Sequence, residues 1–331
     1  MDSQTRPSTF PQHQNNLSIP KQFVWPDQHL ARAHEELNEP AIDLGSYFGA
    51  DPDAARSAIE LVRAACLSHG FFQVLNHGVD VELIRAAQDC AVAFFKLPAG
   101  EKMKGEKGRG RMWGYSNAHA ERFPSRLPWK ETLTFGFRER CGDDRPLTVD
   151  EFFKSSFGQS YEHVGLVFQK YCEAMKKLSI VIIEILGKSL GVDPSYYKGY
   201  FEEGCSSIMR CNFYPSCQDP ALTLGTGPHC DPNSITILHQ DQVLSNGIYK
   251  SCVHRAVVNK EHDRLSLAFF LCPTEDKSIR APSDLMSKEQ PRMYPEFTWS
   301  DLLHFTQHHY RADDATLQNF CNWFLSSNNS P

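Results

Sequence analysis

Three short segments of the chain carry side chains able to act together on a metal ion and a carboxylate. His229-Cys230-Asp231 places an imidazole and a carboxyl group two residues apart. On a strand, residues i and i+2 face the same side, so the two groups can converge. His254 lies in a second strand-like segment, Ser251-Cys252-Val253-His254-Arg255-Ala256-Val257. Two imidazoles and one carboxylate on a β-scaffold form the facial ligand set of non-haem iron(II) sites, which leaves metal positions open to other ligands. An isolated His-x-Asp pair is a weak signal, and a second one, His239-Gln240-Asp241, follows ten residues later. The order of features adds specificity. Arg264-Leu265-Ser266 comes ten residues after His254. The arginine fork suits bidentate capture of a carboxylate, and the serine hydroxyl adds one bond. The apolar run Leu265 to Leu271, broken only by Ser266, predicts a buried approach to Arg264 in place of a surface ion pair. Upstream, Asn212-Phe213-Tyr214 presents an amide and a phenol on one strand face, able to complete the pocket.

These segments need a sheet to hold them. After Gly204, runs of Ile, Leu, Phe and Thr alternate with Pro, Gly, Asn and Asp up to about Pro273, the pattern of a compact β-region. Helices precede it. One is expected from Asp53 to His69, opened by Asp51-Pro52, closed by Gly70, with Ala55, Ile59, Val62 and Cys66 on one face. Phe71 to Leu75 reads as a buried strand. Val81 to Phe95 carries a stripe of Leu83, Ala87, Cys90 and Phe94. The longest helix runs from Val164 to Leu190, its core stripe including Phe168, Tyr171, Met175, Ile182 and Leu186, and ends at Gly191 and Pro194. Between Glu101 and Arg111 the chain is basic and Gly-rich, but no Gly-Lys-Ser/Thr closes a phosphate loop, so a solvated loop is expected. Two helices finish the chain, from Trp299 to about Tyr310 and from Asp314 to Phe324, the last turning Leu317, Phe320, Cys321 and Phe324 inward.

The fold class expected is α+β, a β-core flanked by helices. Residues 1–22 read as a disordered tail, 23–160 as a helical and mixed region and 161–200 as the long core helix. Residues 204–275 carry the core, and 276–331 the C-terminal helices. A net charge of −6 gives no basic footprint for nucleic acid. The longest aliphatic run, Ile180 to Ile183, is far too short to span a bilayer, and the polar start of the chain lacks a secretory segment. A soluble, cytoplasmic protein is expected. Its eleven cysteines are odd in number and contain no Cys-x-x-Cys pair, so reduced thiols packed as small hydrophobes are expected.

At a larger scale the segments resemble a family. Asn212-Phe213-Tyr214-Pro215-Ser216-Cys217, Leu224-Gly225-Thr226-Gly227-Pro228-His229-Cys230-Asp231-Pro232 and the segment around His254 are similar to the core of plant 2-oxoglutarate-dependent oxygenases. Leu127-Pro128-Trp129-Lys130-Glu131-Thr132 resembles a hallmark of the gibberellin 20-oxidases, and the likeness extends from about Ile19 onward. The resemblance implies a double-stranded β-helix, or jelly roll, with iron(II) held by His229, Asp231 and His254. By the same resemblance Arg264 and Ser266 hold the distal carboxylate of 2-oxoglutarate, with Tyr214 and Asn212 in support. Three protein ligands leave two positions for the chelating 2-oxo acid and one for dioxygen, and ascorbate is a supporting reductant. The substrate implied is a diterpenoid acid, a C20 gibberellin whose C-20 is oxidised stepwise toward C19 products. Trp129 and Lys130 are candidates for shaping the site of an apolar acid, with a packing role the competing reading for Trp129.

The chain departs from that pattern at one place. In the family four strands fit between the His-x-Asp segment and the distal histidine, which needs on the order of forty residues. His254 comes only 23 positions after Asp231. The break falls between Val243 and Leu244, where roughly thirty residues are missing by the same reckoning. A jelly roll of about five strands with unpaired edges is expected, and with it weak or absent turnover. The alternatives are a catalytically impaired or inactive shortened form, and a related plant oxygenase acting on another metabolite.

Overall fold

Capping aspartates set the N-terminal helices. Helix α1 (Leu44–Phe48) and helix α2 (Pro52–Ser68) each begin where an aspartate, Asp43 or Asp51, accepts a hydrogen bond from a first-turn backbone N–H. Asp80 does the same for α3 (Val81–Phe95). The computed structural model describes residues 19–26, 30, 41–108, 112–118, 126–139, 148–201, 206–231, 233–237, 245, 247–309 and 316–328. The tail up to residue 18, His239-Gln240-Asp241, the junction of Val243 with Leu244 and the start of the last helix at Asp314 lie outside the described residues.

The expected buried strand from Phe71 to Leu75 is corrected. Only Val74–Leu75 (β2) is extended, pairing in parallel with Ile42–Asp43 (β1), and Leu75 is exposed. A two-residue partner gives the segment no sheet to enter, so Phe72 and Val74 pack on the core from the edge. The loop expected from Glu101 to Arg111 is also corrected, its last residues, 109–111, being outside the described ones. Helix α4 (Ala99–Met103) covers its start, and Lys102 is 1% exposed. Lys102 Nζ donates to Glu131 Oε2 at 2.5 Å and to the Phe95 carbonyl at 3.1 Å, and Tyr115 Oη donates to the same Glu131 oxygen at 2.5 Å. A lysine read alone is taken as solvated. Here a carboxylate distant in sequence waits for it in the interior. Burial, and then the charge of Glu131, push the Tyr115 phenol well above its ordinary range.

The main sheet is antiparallel. Its order is Gly114–Asn117 (β3), Glu131–Arg138 (β4), Ser206–Tyr214 (β5), Arg264–Leu271 (β9) and Ile235–Ile237 (β7). Thr226–His229 (β6) and His254–Ala256 (β8) form a separate antiparallel pair. Strands β5 to β9 therefore alternate between two sheets, as a jelly roll requires, and five strands carry the wrap. Among the described residues β7 has a strand partner on one side only, and so has β8.

Helices α5 (Thr148–Phe157) and α6 (Glu162–Leu190) cover the sheet. Phe135 of β4 meets Phe152, Phe153 and Phe168 with ring centroids 5.2–5.6 Å apart. Each buried ring contributes about 1.5–3 kcal/mol relative to exposure. The stripe of α6 is buried as its spacing predicts, and α6 is followed by α7 (Pro194–Lys198). Strands Ser278–Ile279 (β10) and Phe297–Thr298 (β11) pair beside α8 (Trp299–His308), which Thr298 and Asp301 cap reciprocally. Helix α9 (Thr316–Asn328) buries Phe320 and Cys321. The nine described cysteines are free thiols, and no described helix is long and apolar enough to cross a membrane.

Glu131→Ala leaves the Lys102 ammonium buried without its counter-charge. It is expected to cost about 3–5 kcal/mol of stability, read from the urea midpoint, and the double change Lys102→Met, Glu131→Leu should recover much of that loss.

Candidate metal centre

The pairing of β6 with β8 sets His229 directly opposite His254, with the register shifting between Thr226 and His229. Their ring centroids lie 4.3 Å apart. Asp231 was expected on the strand with His229, but β6 ends at His229 and Asp231 lies two residues beyond its end. Its carboxylate still returns to the site, with Oδ1 3.6 Å from His229 Nε2. One ligand atom from each of His229, Asp231 and His254 lies within 4.8 Å of the others, the one such group of three among the described residues. The described strands β5 to β9 are enough to assemble it.

The orientation of the rings is fixed from behind. His229 Nδ1 sits 2.8 Å from the Gly227 carbonyl, and His254 Nδ1 sits 3.2 Å from the Cys252 carbonyl. A carbonyl can only accept, so each Nδ1 carries the proton and each Nε2 keeps its lone pair for a metal. Burial, then the neighbouring charge of His254, lower the His229 imidazole to about 4, against the opposing pull of Asp231. It is therefore neutral near pH 7, the form a metal ligand needs. The donor set of two imidazoles and a carboxylate, all part-buried, fits iron(II) with positions left open.

One supporting residue escaped the sequence reading. Thr236, in β7 and 4% exposed, donates its hydroxyl to Asp231 Oδ2 at 2.8 Å and accepts from Asn233 Nδ2 at 3.1 Å. The available signal was a threonine in a strand five residues after the aspartate, too common to stand out. Two glycines also matter. A Cβ on Gly225 would lie 2.4 Å from the Tyr214 ring, and one on Gly227 would lie 2.4 Å from Trp25. Both aromatic rings press on the strand that carries His229.

The second group of candidates is brought together by β5 and β9. Their register sets Tyr214 opposite Arg264 and Asn212 opposite Ser266, so all four share one face. Asn212 Nδ2 donates to Ser266 Oγ at 3.3 Å, and the Arg264 guanidinium lies 5.2 Å from the centre of the Tyr214 ring. Asn212 Oδ1 is buried without a hydrogen-bond partner, and no described carboxylate is within ion-pair reach of Arg264. The face thus offers unused donors and acceptors, as a binding site for a small polar acid does. The expected burial of Arg264 is corrected: it is exposed, because β9 enters the core only from Ala268 onward.

Trp129 and Lys130 go separate ways. Trp129 packs in a satellite cluster with Phe23, Ala118, Cys217 and Val258, and its indole N–H donates to the Pro215 carbonyl at 3.1 Å. Lys130 is 5% exposed and donates from Nζ to Thr226 Oγ1 at 3.0 Å, three residues before His229. It lies close enough to His229 for its charge to lower that imidazole further.

Comparison with known proteins agrees with this geometry. Residues 40–155 match the family described as non-haem dioxygenase in morphine synthesis N-terminal. Residues 205–244 and 242–273 match the 2OG-Fe(II) oxygenase superfamily, in two pieces that meet at the break read between Val243 and Leu244. Gibberellin 20 oxidase 2 of Arabidopsis thaliana is 46% identical, over 98% of this chain and 93% of its own length. That alignment runs over 360 residues although this chain has 331, so a stretch of the relative has no counterpart here. Gibberellin 20 oxidase 2 of Oryza sativa subsp. indica is 48% identical over 92% of this chain and 85% of its own. Among solved structures, JOX2 in complex with 2OG, Fe and JA superposes with a TM-score of 0.78 at 27% identity, covering 93% of this chain and 95% of that one. With its ligand set assembled and its relatives aligned over most of both lengths, the chain belongs to the gibberellin 20-oxidases, within the iron(II)- and 2-oxoglutarate-dependent oxygenases.

Proposed function

We propose that the chain oxidises C-20 of C20 gibberellins toward C19 gibberellins, with iron(II), 2-oxoglutarate and dioxygen, and with ascorbate as supporting reductant. The observation that carries this reading is the convergence of His229, Asp231 and His254 within 4.8 Å, alongside the shared face of Asn212, Tyr214, Arg264 and Ser266. Held by His229, Asp231 and His254, iron would with the 2-oxo acid and dioxygen supply the oxidant for an unactivated carbon, and the co-substrate would end as succinate and carbon dioxide.

The protein's own residues bind and orient. His229 and His254 would present Nε2 to the metal, and Thr236 holds Asp231 by Oδ2 while Oδ1 faces His229. The Arg264 fork and the Ser266 hydroxyl receive the distal carboxylate of 2-oxoglutarate, while Tyr214 backs the guanidinium and Asn212 steadies Ser266. Lys130 contributes a buried positive charge beside β6, suited to an acidic substrate, and Trp129 stiffens the turn that delivers it. The reading includes a cytoplasmic monomer with no nucleic-acid or membrane partner, supported by the acidic net charge. It keeps the division of the chain at residues 161 and 204.

Purified chain supplied with iron(II), 2-oxoglutarate, ascorbate and a C20 gibberellin should release succinate coupled to oxidation at C-20. Because, among the described residues, β7 and β8 each have a strand partner on one side only, the rate is expected to fall by up to about 100-fold below that of a relative with the longer segment. No succinate from the metal-loaded chain would overturn the proposal. Thr236→Val should weaken metal binding about 10–100-fold while leaving the melting temperature nearly unchanged, as read by calorimetric titration with Mn(II). Arg264→Gln should raise the KM for 2-oxoglutarate about 10–100-fold without altering metal affinity.

A further inference from the structure

Away from the iron ligands, α8 ends in His304-Phe305-Thr306-Gln307-His308-His309. We propose that His304 and His308 form a second metal site, for a borderline divalent ion of the zinc, nickel or copper(II) kind. Residues four apart on a helix lie on one face, and a histidine pair at this spacing is a recurring bidentate unit for zinc. The reciprocal cap between Thr298 and Asp301 fixes the start of α8, and with it the register of its last turn.

The two imidazoles are already adjacent. Their ring centroids lie 4.3 Å apart, with planes tilted by 31°, and both side chains are exposed. His308 Nδ1 is 2.9 Å from the His304 carbonyl. The carbonyl accepts, so Nδ1 carries the proton and the Nε2 lone pair is left free at the surface. The His304 ring makes no hydrogen bond among the described residues, so its lone pair is uncommitted too. Two nitrogens bound to one tetrahedral ion at 2.0–2.1 Å lie about 3.3 Å apart, which rings this close reach by rotation about their own side-chain bonds.

The first of the two rings is also held in place. The indole of Trp323, on α9, stacks on His304 at 5.9 Å and 29°, and packs against Phe305 at 5.5 Å. His309 leans on the same indole at 5.3 Å. A ligand pre-positioned by packing loses less freedom on binding. Two imidazoles without a carboxylate favour Cu(II), Ni(II) and Zn(II) over Fe(II), in the usual order of divalent affinities. Water completes the coordination at the helix site. An ion bound only by the folded helix stabilises the chain as its concentration rises.

The test is a titration of the metal-stripped chain with Ni(II). Two equivalents should bind to the wild type, one to the double variant His304→Gln, His308→Gln, and one to His229→Gln, Asp231→Asn. Paramagnetic Ni(II) at the helix should quench Trp323 emission, and the quench should vanish in Trp323→Phe and in the histidine double variant. Circular dichroism of each variant checks that the helices are intact. A wild type that binds a single equivalent would overturn the proposal, as would a second equivalent that survives loss of both helix histidines.

Discussion

Strand β9 has hydrogen-bonded neighbours on both sides, and the chemistry of the molecule depends on that. On one side, seven residue pairs with β5 set Arg264 against Tyr214 and Ser266 against Asn212. On the other, β7 carries Thr236, whose hydroxyl holds Asp231. One strand thus couples the face read for a carboxylate to the carboxylate read for a metal. A slip of one residue in either pairing would turn the functional side chains to the opposite face. The metal ligands need one further pairing, that of β6 with β8, and it is the shortest in the core.

The hexapeptide from Leu127 to Thr132 shows how much work a few residues do when their neighbours face different layers. Trp129 closes a satellite cluster and Lys130 reaches the strand of His229. Glu131 neutralises a lysine in the interior. Only Glu131 lies in β4; Trp129 and Lys130 belong to the bend that leads into it, so the three side chains are free to point into three unrelated environments. A change at any of them acts on a different part of the protein.

Much of this was legible beforehand. The ends of α2, α3 and α6 follow from capping residues and apolar spacing, because those signals are local. The order His229, Asp231, His254, Arg264, Ser266 pointed to the iron(II) and 2-oxoglutarate family to which the chain belongs, because the combination is far rarer than any one of its parts. What stayed hidden depends on partners distant in sequence. The burial of Lys102 requires Glu131, the role of Thr236 requires the segment after β6, and the exposure of Arg264 depends on where β9 enters the core. Phe71 to Leu75 had the composition of a buried strand but met only a two-residue partner. The short spacing between Asp231 and His254 was visible as a count, and the five-stranded wrap is its three-dimensional form.

The ion pair of Lys102 with Glu131 bears on how the chain can be divided. The ammonium comes from α4 and the carboxylate from the sheet, and neither has water to turn to. Cutting the chain after α4 would leave a bare charge in the interior of each fragment. The helices that precede the sheet are therefore no detachable leader. A shortened gene product beginning at β4 would start with its own counter-ion missing, and the two halves would regain their shape only by finding each other again.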